Sequence, residues 1–117
     1  MRRAIAAARR FAETADLPPA AADELAVVVE EWVANIVEHG GPQAGRLVVL
    51  ALERSGGVVR IRVSDAGVAF DPRLAPDEGP NLERGGGAGL ALIRGWSRIE
   101  DYRRLRGRNR LVLRLRS

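Results

Sequence analysis

A chain of 117 residues with 46 % hydrophobic content is the size of one compact domain with one core, 1–117, and leaves no room for a second. It holds no cysteine, which excludes disulfides and thiolate metal sites, and it shows neither a signal-peptide pattern nor a long apolar run, so the expected location is the cytoplasm, away from any membrane. The net charge of +4 is carried by arginine without lysine and crowds between Arg98 and Arg116; with only Tyr102 there to stack on a base, and no helix-turn-helix or zinc pattern, nucleic acid is not the expected partner.

Residues 2–15 are alanine-rich, with Ile5, Ala8, Phe11 and Ala12 on one side, and predict a helix that stops before Pro18. A second helix is predicted from Pro19 to His39. Leu25, Val28, Val29, Trp32, Val33 and Ile36 recur on it at three- and four-residue spacing and gather into one apolar face, and Gly40-Gly41-Pro42 closes it. Residues 46–53 and 58–64 read as a β-hairpin around Ser55-Gly56-Gly57, with Val59, Ile61 and Val63 facing inward. From Asp65 to Ala88 periodicity is lost over a stretch rich in glycine, proline and acid, too long for an idle connection. A short apolar helix follows over residues 90–96. A second hairpin then joins residues 97–105 to 110–115 around Arg106-Gly107-Arg108-Asn109. The pattern ααββαββ predicts an α+β two-layer sandwich, with helices on one face of a mixed, mostly antiparallel sheet.

Four places along this pattern could carry chemistry. Glu31 and Asn35 lie one helical turn apart on a polar stripe beside the apolar face, where a carboxylate and an amide could share a metal ion or a water. Asp65 ends a strand and is followed by Gly67, so it is either an Asx-turn residue or a fixed acceptor for an exocyclic amine. Gly85-Gly86-Gly87-Ala88-Gly89 runs into a helix and offers free N–H groups and a positive helix end to a phosphate chain. Asn109, taken alone, is a turn residue. His39 belongs to the negative end of its helix, and Trp32, Trp96 and Phe11 read as core.

In chain order these features are a helix with E-x-x-x-N, a strand ending in D-x-G-x-x-F-D-P, a long loop, G-G-x-G-L-x-L-I into a helix, and a closing N-R-L-x-L strand. Over residues 20–115 this resembles the Bergerat-fold (GHKL) ATP-binding domain, and within it the small bacterial anti-sigma-factor serine/threonine kinases. The resemblance implies ATP and Mg²⁺ as cofactors, with Asn35 on the metal ion and Glu31 as the base that accepts the proton of an attacking serine. It implies that Asp65 binds the adenine amine beside Gly67. Gly85, Gly87 and Gly89 would form the phosphate end of an ATP lid, to which Arg84 offers charge. The partners it implies are a sigma factor and an anti-anti-sigma (STAS-type) antagonist. Such relatives begin with a strand, whereas this sequence starts in a helix, so the expectation is either a start that falls late or an exposed sheet edge that invites pairing with another chain, as in a homodimer. The rival expectation is a non-catalytic module that uses ATP to gate its partners.

Overall fold

The first helix, α1 (Arg2–Thr14), is ended by its own backbone before the prolines are reached. Asp16 takes a left-handed φ of 53°, and the Leu17 N–H returns to the Ala12 carbonyl at 2.9 Å. The computed structural model, which describes residues 2–42, 47–74 and 87–116, then places α2 over Pro19–His39, as the apolar spacing predicts. Gly40 donates back to the Ile36 carbonyl at 2.8 Å while still right-handed, and it is Gly41, at φ 83°, that turns the chain away.

Among the described residues four strands follow: β1 (Val49–Ser55), β2 (Val58–Asp65), β3 (Ser97–Leu105) and β4 (Arg108–Leu115), with helix α3 (Gly87–Trp96) between the second and third. They form one sheet in the order β1-β2-β4-β3, and every neighbouring pair is antiparallel. Both hairpins are tighter than the sequence suggests. Gly56 and Gly57 (φ 57° and 81°), and Arg106 and Gly107 (φ 52° and 76°), make two-residue turns with both central residues left-handed, the type whose twist matches that of paired strands. The second turn therefore ends at Gly107, and Asn109 is a strand residue of β4 paired with Asp65 of β2, not part of a turn.

The helices lie on one face of this sheet. Leu25, Val28, Val29, Trp32, Val33 and Ile36 of α2 meet Val59, Ile61 and Val63 of β2 and Leu111, Leu113 and Leu115 of β4, with Ala8 and Ala12 of α1 and Ile93 of α3 closing the sides. Phe11 and Trp96 are half-buried against this cluster, as core residues at its rim. The other sheet face is wet and basic: Arg62 pairs with Glu53 at 3.0 Å, Arg103 with Asp101 at 3.0 Å, and Arg60 with Glu100 at 2.7 Å across a bulge in β3. Hydrogen bonding from Arg60, aided by its charge, holds the Glu100 carboxyl below its ordinary range. Such exposed pairs fix strand register more than they add stability. No helix among the described residues is long and apolar enough to cross a membrane.

Candidate functional site

Where β2 ends, a side-chain network replaces the sheet ladder. Asp65 is only 4 % exposed, and its Oδ1 accepts the Gly67 N–H at 2.9 Å and the Asn109 amide at 3.0 Å. Asn109, 5 % exposed, uses the same Nδ2 to reach the Val68 carbonyl at 2.8 Å, and its Oδ1 accepts the Tyr102 hydroxyl at 2.5 Å and the Phe70 N–H at 3.4 Å. Arg104 ties down the Gly67 carbonyl from the far side at 2.6 Å. Oδ1 of Asp65 makes an Asx-turn, while among the described residues nothing bonds to Oδ2. Replacing Asn109 by alanine strips donors from Asp65 and the Val68 carbonyl and an acceptor from Tyr102. The expected cost is about 2–4 kcal/mol, read as a fall in the denaturation midpoint with an unchanged m-value.

Gly67 has a specific reason to lack a side chain. A Cβ there would lie 2.7 Å from the Gly40 carbonyl oxygen and 2.9 Å from the Gly40 Cα, so the loop and the end of α2 touch backbone to backbone. The Val68 N–H seals this contact by bonding to the Gly40 carbonyl at 2.9 Å. Gly67 therefore lets the loop approach the helix, and its φ plays no part.

This contact closes one end of a cleft lined by Trp32, Asn35, Ile36, His39 and Gly40 of the helix and by Asp65, Val68, Phe70 and Asn109 across from it. Asn35 and Asp65, 30 residues apart in sequence (65 − 35), open onto the same space. The walls stand close, leaving about 10 Å³ of clear interior, room for about one water against the roughly 300 Å³ or more of ordinary ligand pockets. The Trp32 and Phe70 rings face each other at 6.2 Å, tilted by 35°.

Glu31 sits one turn back along α2, half-buried and outside the cleft lining. Gly87 and Gly89 fall in the first turn of α3, three residues earlier than the predicted helix start, which puts that helix's free N–H groups at the glycines. Helix α3 packs against α2 and β3. Arg84 and Gly85 lie outside the described residues. Asn109, read by itself as a turn residue at the head of the closing N-R-L-x-L strand, and His39, read as a helix-end residue, both line the cleft.

The slot thus lies between the helix bearing E-x-x-x-N and the junction of β2 with β4, with the Asp65 carboxylate at its end. The histidine kinase-like ATPase domain pattern matches residues 1–116. The chain belongs to this family. Among curated proteins nothing matches closely enough to serve as a relative.

Membership in the ATPase family points to ATP, and the cleft's chemistry fits its purine end. Asp65 Oδ2 can accept an exocyclic amine, and Ile36, Val68 and Phe70 supply flat apolar contact. Support for a metal ion is leaner. The described residues hold no cluster of three or more metal-ligating side chains of the histidine, cysteine, aspartate or glutamate type, so on this chain Mg²⁺ would rely on the Asn35 amide, with phosphate and water supplying its other oxygens.

Proposed function

We propose that the chain is an anti-sigma-factor serine/threonine kinase: it binds Mg²⁺ and ATP, phosphorylates a hydroxyl on a STAS-type antagonist, and holds a sigma factor in alternation with that antagonist. The observation that carries the reading is the opening of Asn35 and Asp65 onto one cleft, which gives a single nucleotide both an anchor for its base and a metal ligand toward its phosphates. ATP brings the phosphoryl group and Mg²⁺ neutralises its charge, so positioning is the main task left to the protein.

Each residue has one job in this scheme. Asp65, fixed through Oδ1 by Gly67 and Asn109, presents Oδ2 to the base. Asn35 holds the metal ion through its amide oxygen. Glu31, one turn away, takes the proton of the incoming hydroxyl. Gly87 and Gly89 let the first turn of α3 approach phosphate, and Arg84 and Gly85 belong to the same lid. The open edges of the sheet, β1 and β3, are where a second copy of the chain would add strands.

A second reading, a non-catalytic ATP-dependent gate for a protein partner, has one observation in its favour: Glu31 is not among the residues lining the cleft. Transfer of γ-labelled phosphate separates the two. The kinase reading expects label on a serine or threonine of a cognate STAS-type protein in a Mg²⁺-dependent reaction. Tight ATP binding with no label transferred supports the gate instead.

A further inference from the structure

Trp32 is 3 % exposed, and its indole N–H is the one buried side-chain polar atom among the described residues with no hydrogen-bond partner. Tryptophan buried in a core normally finds a partner for this donor, because a buried N–H left unpaired forfeits the hydrogen bond it makes to water in the unfolded chain. Trp32 belongs to the core cluster and also borders the cleft. It lines the cleft with Asp65 and Phe70, where the clear space is about 10 Å³.

We propose that Trp32 is a base-recognition residue: its indole N–H is reserved for a ring nitrogen of the purine, and it gains that partner when the Phe70 side of the cleft moves back to admit the nucleotide. This rests on the reading of the cleft as a purine-nucleotide site. Three features favour a base over a phosphate as the acceptor. The Asp65 carboxylate shares the space and repels anions. The walls contributed by Ile36, Val68 and Phe70 are apolar. Phe70 is held by its backbone N–H bonds to Tyr102 (3.2 Å) and Asn109 (3.4 Å), both at the long end of the range, so its ring can shift at little cost in hydrogen bonding. The indole donor and the Asp65 acceptor together read a purine carrying both an amine and ring acceptors, which selects adenine over hypoxanthine.

The test works from the ligand side, so it does not depend on a core substitution folding well. Dissociation constants for ATP and for its 1-deaza, 3-deaza and 7-deaza analogues are measured by equilibrium dialysis against the wild type and Trp32→Phe. The expected result is that one analogue binds the wild type about tenfold more weakly than ATP, and that this penalty vanishes in Trp32→Phe. In a Trp96→Phe background, ATP is also expected to change Trp32 emission while inorganic triphosphate does not. If every deaza penalty persists in Trp32→Phe, or none exceeds twofold in the wild type, the proposal is overturned. Should Trp32→Phe not fold, a wild type that binds all three analogues within twofold of ATP overturns it equally. Asp65→Asn in parallel keeps the outcomes apart: loss of ATP binding there, without a Trp32-dependent penalty, sinks the Trp32 role alone, whereas unchanged ATP binding there sinks the nucleotide site itself.

Discussion

Asp65→Asn is expected to abolish the stabilisation that ATP gives to the folded chain. With ATP at a hundredfold excess over Kd, the wild type gains about 2.7 kcal/mol by mass action, a rise in Tm of roughly 10 °C for a domain this small. The substitution is nearly isosteric, so its effect comes from where the network points the new amide. Gly67 N–H and the Asn109 Nδ2 both donate to Oδ1 of residue 65, which keeps a carbonyl oxygen on that side and turns the new NH₂ group toward the base. A donor then meets the adenine amine, itself a donor. The lost charge-assisted bond and the clash of donors together weaken ATP by about 10²–10³-fold. Stability without nucleotide changes little, since Oδ1 keeps both of its bonds. The same turn of the amide improves the fit of a purine with an oxygen at that position, so inosine triphosphate is expected to overtake ATP in the variant. Differential scanning with the two nucleotides measures both effects.

The second large effect falls on chemistry and spares binding. Glu31→Ala is expected to lower phosphotransfer to the antagonist by about 10²–10⁴-fold, the range for removing a positioned general base, with ATP affinity held within about threefold. Binding is spared because Glu31 stands one turn behind Asn35, outside the cleft lining. Single-turnover label transfer at saturating ATP reads the rate, and dialysis reads the affinity. Transfer at an undiminished rate removes Glu31 from the mechanism. A matching loss of affinity makes it a binding residue instead.

The parts of this molecule that were legible in the sequence are those governed by local periodicity. Helix α2 matches its predicted bounds because six apolar residues at helical spacing, a proline at the start and glycines at the end all agree. The inward faces of β2 and β4 follow from strict alternation. Asp65 and Asn35 stood out because the order of motifs resembles a known domain, and the fold brings them to one cleft.

Asn109 was illegible for a physical reason. Its role depends on lying opposite Asp65, 44 residues away, in a β2–β4 pairing across which α3 and β3 intervene, and on a two-residue turn at Arg106-Gly107 that leaves it in the strand. An arginine at φ 52° is not a residue from which such a turn is predicted. Gly67 was singled out as a place where something comes close, but nothing local could say that it is the Gly40 backbone at the end of α2. Trp32 was rightly read as buried. Periodicity reports burial and is silent on hydrogen bonds, so the unmet donor emerged only with the fold.

The account's central claim is that ATP binds between α2 and the junction of β2 with β4, and backbone amide chemical shifts of the labelled chain during an ATP titration test it most directly. The largest changes are expected at residues 32–40, 65–70 and 109, saturating together, with the arginine-rich face formed by Arg62, Arg110 and Arg114 left undisturbed. Changes confined to that basic face, with Asn35 and Asp65 unmoved at saturation, would contradict it.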